Sequence, residues 1–173
     1  MQYKHTVAIF SFLILLCFQG SAQLTQQWSR TFNARGKGSD RIQKIKVTTS
    51  GDVIVAGYST GRRGFPDAYA MRYNSVGDTI WTYRYDGTAF SDDYAYAIAL
   101  DANENVYLTG KSRAATTGWD EMITIKLNSA GVQQWVVRYS PTGGGDSQGN
   151  AIDVDNSGNV YVAGWFDPPS AGK

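Results

Sequence analysis

Short stretches of alternating apolar and polar residues run through the chain from about residue 28 onward, and they predict β-strands. In QKIKVT, Ile45 and Val47 alternate with Lys44 and Lys46, which is the two-residue period of a strand with one buried face. The segments DVIVAG, NVYLTG and NVYVAG show a similar alternation. Turn-forming clusters such as NSVGD, NSAG and PTGGGDSQG separate these stretches, and no segment keeps a 3.6-residue period over helical length. The pattern predicts an all-β protein.

One of these stretches recurs three times. DNSGNVYVAG, from Asp155 to Gly164, corresponds to DANENVYLTG and TTSGDVIVAG, and each copy predicts a tight turn followed by a short strand that ends on a glycine. The closing glycines Gly57, Gly110 and Gly164 lie 53 and 54 residues apart. Other landmarks share this spacing: Trp28, Trp81 and Trp135; Ile45–Val47, Ile98–Leu100 and Ile152–Val154; AYAMRYNSVG and MITIKLNSAG. The sequence is therefore a tandem repeat.

Each period contains four predicted antiparallel strands joined by turns, which is the content of one β-propeller blade. The units are Trp28–Ile80, Trp81–Gln134 and an incomplete Trp135–Lys173, with about eleven strands and about three blades in total. A β-sandwich is the competing arrangement, but sandwiches do not normally reiterate a whole sequence unit. Propellers have typically about 4–8 blades, so an incomplete propeller is expected. A fragment of a longer propeller is the favoured explanation, and a ring of several chains and a short open stack remain alternatives.

The repeated motif has the form DxxGNVYVxG, followed by a strand that leads into N-S-x-G and then by a tryptophan segment. The positions that fit this form most closely are Asp155, Gly158, Asn159, Tyr161, Gly164, Lys126, Asn128, Gly131, Gln134 and Trp135. The pattern resembles the SBBP family of bacterial β-propeller repeats over Gln27 to Phe166, although Thr48 replaces the leading Asp in the first copy and Glu104 replaces Gly in the second. The resemblance implies an exported or surface protein, in a propeller usually described as seven-bladed, with no generally assigned catalytic activity.

The first 22 residues are typical of a cleaved export signal. Lys4 and His5 precede the apolar run VAIFSFLILLCF, and the small residues of GSA, which ends at Ala22, suit a cleavage site. Because the apolar run is shorter than the roughly 20 residues that span a bilayer, no membrane span is expected after cleavage. A lipid anchor at Cys17 is disfavoured by Leu16, where lipoprotein signals want a small residue. Residues 23–173 are therefore expected to be secreted or displayed at the cell surface.

Cleavage of this signal limits the available chemistry. It removes the single cysteine and the single histidine, so neither a disulfide nor a Ser-His-Asp triad is possible in the mature chain. Loss of Lys4 lowers Lys plus Arg from 16 to 15, equal to Asp plus Glu, and a formally neutral chain lacks the positive surface that nucleic acid requires. We therefore predict no catalytic residue, no cofactor, no bound metal and no nucleic-acid partner.

Two oxygen-rich motifs are nevertheless candidates for chemistry. Asp155, Asn156 and Asn159 could supply oxygen ligands to calcium. Asn, Gly and Asp also form tight hairpin turns, and we favour the turn interpretation while calcium binding stays open.

The adjacent pair Asp92 and Asp93 could act as acid and base. Neighbouring residues of an extended chain point to opposite faces, so we expect solvated turn residues instead.

Aromatic residues supply the remaining candidates. The recurring tryptophans are expected to fill the core between blades, because a core position must be filled in every unit. Three aromatic residues outside that column are predicted to lie in loops and to form a binding surface. They are Trp119, Trp165 and Phe65. Arg62–Arg63, and Lys111 with Arg113, follow the repeated glycines and could form a weakly basic rim, although solvated loop charges explain them equally well.

The sequence thus predicts an exported, non-catalytic propeller that serves as a binding or surface scaffold for a protein or glycan ligand. Part of a propeller enzyme, quinoprotein-like or polysaccharide-acting, is one alternative, and a structural spacer in a larger surface protein is another. Closure of a ring would need further blades in the same chain or self-association.

Overall fold

The computed structural model describes residues 26–32, 38–61 and 63–169, and the predicted export signal at 1–22, with Cys17 and His5, lies outside them. In the described ranges the chain forms strands and no helix. The ten strands are β1 (Asp40–Val47), β2 (Val53–Thr60), β3 (Pro66–Tyr73), β4 (Thr79–Tyr85), β5 (Asp93–Leu100), β6 (Val106–Arg113), β7 (Asp120–Leu127), β8 (Gln133–Tyr139), β9 (Asp146–Val154) and β10 (Val160–Asp167). The predicted all-β class is confirmed.

The strands form three antiparallel sheets in chain order. The sheets are β1-β2-β3-β4, β5-β6-β7-β8 and β9-β10. The first strand of each later sheet packs against the preceding sheet, since β5 contacts β1, β2 and β3, and β9 contacts β5, β6 and β7. This is the stacking of successive propeller blades, which we call blades 1, 2 and 3. The three sheets do not close into a ring within the described ranges, so the predicted incomplete propeller is confirmed.

Each blade begins one strand later than the predicted sequence unit. Trp81 lies in β4 and Trp135 in β8, so the tryptophan strand is the last strand of its blade. Trp28 belongs to the segment 26–32, which has no strand of its own. The described residues therefore contain ten strands rather than about eleven.

The main core lies between and within blades 1 and 2. Ile54 and Ala70 of blade 1 and Leu108 and Ile125 of blade 2 are at most 1% exposed. Full burial of an isoleucine or leucine side chain contributes roughly 1.5–3 kcal/mol. By contrast Ile45 in β1 is 61% exposed, because no described sheet precedes blade 1.

The repeated glycines do not end their strands, so this prediction was wrong. β2, β6 and β10 each continue for three residues beyond Gly57, Gly110 and Gly164. Each glycine lies beside a bulge in the first strand of its blade, where the pairing skips one residue. A Cβ on Gly110 would lie 1.8 Å from the carbonyl oxygen of Tyr94, and the other two glycines have the same contact with Arg41 and Gln148. Glycine is therefore required by the close approach of a bulged neighbour.

The two ends of the blades differ. The hairpins at 48–52, 74–78, 101–105, 128–132 and 155–159 lie at one end, which we call the turn end. The connections at 61–65, 86–92, 114–119 and 140–145 lie at the other end, which we call the loop end. The hairpins all have five residues, whereas the loop-end connections differ in length and sequence.

Candidate binding surface at the loop end

All five hairpins at the turn end share one geometry. The first residue donates its N–H to the carbonyl of the fifth, and the fourth donates to the carbonyl of the first. The fourth residue has a φ between 58° and 88°, in the left-handed region that favours glycine. These fourth residues are Gly51, Gly77, Glu104, Gly131 and Gly158. The DNSGN motif and the NSxG motif are therefore the same turn, an equivalence that their shared polar first residue and Gly at the fourth position already indicated.

Asp155 uses both of its carboxylate oxygens within its own hairpin. Oδ1 accepts hydrogen bonds from the N–H groups of Ser157 and Asn159, and Oδ2 accepts from the Asn159 amide and the Tyr161 hydroxyl. Asp101 makes the same set of bonds in blade 2. The hydrogen bonds from Asn159 hold the pKa of Asp155 below its ordinary value. The turn interpretation of this motif is confirmed.

A tryptophan docks on the turn end of blade 1 and another on the turn end of blade 2. The Trp81 indole N–H donates to the Ser129 carbonyl across the blade boundary at 3.0 Å, and a Cβ on Gly131 would lie 2.6 Å from the Trp81 ring. Trp28 makes the same contact with blade 1, donating to the Ser75 carbonyl at 3.1 Å beside Gly77. The prediction that the tryptophans pack between blades is confirmed for Trp81, and Trp28 makes the same contact with one blade.

An ion-pair cluster also joins blades 1 and 2 at the turn end. Arg72 of β3 is 8% exposed, and its guanidinium contacts Asp52 at 2.8 Å and Glu104 of blade 2 at 2.5 Å. Glu104 occupies the left-handed position of its hairpin with a φ of 58°, where the other four hairpins have glycine. The departure from glycine at Glu104 therefore has a structural role: the strain of roughly 1–2 kcal/mol is offset by a charge-assisted contact between blades.

At the loop end, Arg138 joins the same two blades. Its guanidinium contacts Glu121 at 2.5 Å and donates to the Tyr85 hydroxyl of blade 1 at 2.9 Å and to the Ser112 hydroxyl at 2.8 Å. Blade 1 has an equivalent pair, in which Arg84 contacts Asp67. Polar contacts therefore flank the apolar interface between blades 1 and 2 at both the turn end and the loop end.

Three carboxylates converge beside this contact: Asp67, Asp86 and Asp93, which have one oxygen each within 4.8 Å of the others. Asp93 is 1% exposed and accepts the N–H of Gly87 at 2.6 Å, so the prediction of a solvated turn residue was wrong for Asp93. Burial raises the pKa of Asp93 to about 6 and also raises that of Asp67. Arg84 already brings a positive charge to the cluster through its ion pair with Asp67. We therefore interpret the cluster as part of the blade interface.

The three predicted surface aromatics all lie at the loop end, but in different settings. Phe65, in the 61–65 connection, is 45% exposed. Trp119 is half-buried in the 114–119 loop, with its Nε1 3.2 Å from the position of a Cβ on Gly144. Trp165 is 42% exposed but lies within β10, opposite Gln148, so its assignment to a loop was wrong. No aromatic ring contact joins the three among the described contacts.

The predicted basic rim is largely neutralised by its neighbours. Lys111 contacts Asp120 at 2.6 Å and Arg113 contacts the same carboxylate at 3.1 Å. Arg63 lies over the ring of Phe90, 4.0 Å from its centroid, while Arg62 lies outside the described residues. The loop end therefore presents aromatic and paired polar groups rather than a free positive surface.

One aromatic cluster at the loop end is not among the predicted surface residues. Tyr94 and Tyr96 of β5 stack at 5.6 Å and 6°, and the Tyr58 ring of blade 1 meets Tyr94 edge-on at 4.7 Å and 79°. The Lys111 ammonium lies 5.4 Å from the Tyr94 centroid. All four side chains are partly exposed. The available signal was a pair of tyrosines at alternate positions in DYAYAIAL, where the other copies have no aromatic residue.

The stacked four-stranded sheets define a β-propeller architecture, and a comparison with protein families agrees. The family described as SBBP, a beta-propeller repeat, matches residues 134–165. This segment, which runs from β8 into β10, is similar to the SBBP repeat, in agreement with the prediction from its sequence. It crosses a blade boundary, so the family repeat is also displaced by one strand from the blade. A search of curated proteins found no match.

The described residues also bear on membrane insertion. Across 26–32, 38–61 and 63–169, no helix is long and apolar enough to cross a membrane.

Proposed function

We propose that this chain is an exported, non-catalytic β-propeller scaffold that binds a ligand through its loop end. The observation that carries the proposal is the contrast between the two ends. Five equivalent hairpins and two tryptophan contacts occupy the turn end. At the loop end the connections differ from blade to blade, and large aromatic side chains remain exposed, among them Phe65, Phe90 and Trp165. Function on a repeated frame resides in such variable positions.

Export is supported by the residue pattern of 1–22, and a scaffold role by the SBBP-type repeat in 134–165. Additional blades are supported by the exposure of Ile42, Ile45 and Val47 on β1, which is the strand that a preceding blade would cover. These further blades belong either to a longer chain or to associated copies.

The proposal is tested by binding of the purified chain to an array that carries both polysaccharides and extracellular proteins. Phe65→Ala, Trp119→Ala and Trp165→Ala alter the loop end, and Asn156→Ala provides a turn-end control. We expect binding at least tenfold weaker in one or more loop-end variants and no change in the control. Binding that is lost only in the turn-end control would overturn the proposal, as would turnover of an array component.

A fractionation experiment tests export separately. With residues 1–22 in place, the chain is expected outside the cytoplasm and shortened at its N-terminus. Accumulation of the full-length chain in the cytoplasm would contradict the proposed location.

A further inference from the structure

Three positions in every blade lie beside the repeated glycine or the bulge and differ in chemical type from blade to blade. They are the residue after the repeated glycine, its cross-strand partner in the first strand, and the bulge residue of that strand. In blade 1 these are Tyr58, Arg41 and Gln43. In blade 2 they are Lys111, Tyr94 and Tyr96, and in blade 3 they are Trp165, Gln148 and Asn150. We call these nine residues the loop-end stripe.

The stripe varies beside positions that recur in every blade, although some neighbours vary as well, among them Ile42, Ala95 and Gly149. The glycine beside each stripe is the same in all three blades, and Ile45, Ile98 and Ile152 are equivalent a few residues away. Positions that serve blade packing keep one chemical type because each blade meets its neighbour in the same way. A position that holds Arg41, Tyr94 and Gln148 in turn follows no common packing requirement.

Stripe residues contact one another in two groups, one across blades 1 and 2 and one within blade 3. Tyr58 of blade 1 contacts Tyr94 of blade 2 across the blade boundary, and Tyr94 stacks on Tyr96. In blade 3 the Gln148 amide donates to Asn150, which repeats the Tyr94–Tyr96 contact with polar groups. Each of the nine residues is partly or fully exposed.

The loop-end stripe combines aromatic, amide and cationic side chains and has no carboxylate. It has four aromatic rings, three amides and two cations, and none of its nine residues carries a carboxylate. Aromatic rings offer flat apolar faces, and their hydroxyl or indole groups, together with amides, supply donors and acceptors at the edges. Sugar rings have the complementary form, with flat C–H faces and hydroxyl groups around their rims. Lys111 is held by Asp120 at 2.6 Å, so its position is fixed before any ligand arrives.

We propose that the loop-end stripe binds a polysaccharide chain, with the Tyr94–Tyr96 stack as the platform for a sugar ring and the amides and cations as hydrogen-bonding partners of its hydroxyl groups. This inference rests on the proposed function, because it assigns a ligand class and specific residues to the loop end. It also moves the centre of binding from the loops to the first strands of the blades.

Affinity electrophoresis of the purified chain tests the inference. The gels contain soluble xylan, galactomannan, mixed-linkage β-glucan, dextran, pectin or alginate. The main variant carries Tyr94→Gln with Tyr96→Asn, which are the residue types that blade 3 has at these positions and are therefore compatible with the frame. Tyr139→Ala, which removes a 56% exposed tyrosine from β8, is the matched control. Thermal unfolding of each variant establishes that it is folded.

We expect at least one polysaccharide to retard the wild-type chain, and the double variant to bind it at least tenfold more weakly while Tyr139→Ala binds normally. Tyr94→Phe keeps the ring and should retain most of the binding. Retardation that persists in the folded double variant overturns the assignment of binding to the stripe, but it leaves the proposal of loop-end binding intact. Failure of all six polysaccharides to retard the chain overturns the polysaccharide assignment, whereas the array with extracellular proteins still tests the broader proposal. A double variant that does not fold overturns the premise that the stripe is free of packing requirements.

Discussion

The two ends of the blades are built from the same strands but follow different rules. At the turn end, five hairpins repeat one hydrogen-bond pattern, and Trp81 and Trp28 dock on successive blades through the same contact. At the loop end, connections differ in length, carboxylates are buried beside one another, and aromatic residues face solvent. The difference indicates that the turn end repeats one contact geometry, while the loop-end connections diverge around the Arg138 contact that also joins the blades.

The largest expected effect comes from the tryptophan contact. Trp81→Ala removes a ring packed against the core of blades 1 and 2, together with its hydrogen bond to Ser129. We expect a loss of about 3 kcal/mol in the free energy of unfolding, measured by urea denaturation. Trp165→Ala, which removes an exposed ring at the loop end, should change stability by less than about 1 kcal/mol. Equal losses of unfolding free energy in the two variants would contradict the conclusion that the turn-end tryptophan stabilises the blades more than the exposed loop-end ring does.

The carboxylates at the two ends are expected to respond to pH with opposite signs. Burial raises the pKa of Asp93 to about 6, so the folded chain holds this proton more tightly than the unfolded chain. Its contribution to stability is complete below pH 4 and is lost as the pH rises through about 6. The free energy of unfolding of Asp93→Asn, relative to that of the wild type, should therefore rise by about 2–3 kcal/mol between pH 4 and pH 7.

Asp101 provides the matched comparison at the turn end. Burial acts to raise the pKa of Asp101, but hydrogen bonds from Asn105, Tyr107 and Asn103 outweigh it and lower the pKa below its ordinary value. Its contribution is present above pH 4 and is lost as the pH falls through the folded pKa. The free energy of unfolding of Asp101→Asn, relative to that of the wild type, should therefore be lower at pH 7 than at pH 3. Asp93→Asn should show the reverse dependence. Parallel pH slopes in urea denaturation of the two variants would contradict this prediction.

Glu104 combines backbone strain with the contact between blades, and two substitutions separate these effects. Glu104→Ala keeps a side chain at a φ of 58° but removes the carboxylate that contacts Arg72, so we expect a loss of about 2 kcal/mol. Glu104→Gly removes the same carboxylate and also relieves the left-handed strain, so its loss should be about 1 kcal/mol smaller. Chemical denaturation that finds Glu104→Ala as stable as Glu104→Gly would show that the strain has no measurable effect.

The smallest expected effect is at the exposed aromatic residues. Phe65→Ala should change the free energy of unfolding by less than about 0.5 kcal/mol, because the ring is 45% exposed. A similar value is expected for Tyr139→Ala. Differential scanning calorimetry of the pair provides the measurement, and a loss comparable to that of Trp81→Ala would show that Phe65 belongs to the frame.

The sequence predicts the frame well because packing imposes the same requirement on every blade. The period of the tryptophans, the Ile pairs and the glycines identifies the strands and the blade. A linear pattern does not show that Gly110 is required by the bulge at Tyr96 rather than by the end of a strand. The prediction of a loop at Trp165 is wrong because Gly164 also lies beside a bulge and β10 continues past it.

The candidate site was less predictable, because its residues come together across strands and blades. Tyr58 and Tyr94 are 36 positions apart in the chain and meet only when blade 2 packs on blade 1. The prediction that Asp93 is solvated is wrong because its burial depends on Gly87, Ser112 and the neighbouring blade. Residues that vary between repeats leave no periodic signal, and these are the residues that a binding site uses.

Hydrogen exchange with and without a retained polysaccharide tests the central claim most directly. The backbone amides of β5 and β6 near Tyr94, Tyr96 and Lys111, and of the 86–92 and 114–119 connections, should gain protection on binding. The hairpin amides at 101–105 and 128–132 should exchange at unchanged rates. New protection confined to those hairpins would contradict the assignment of binding to the loop end.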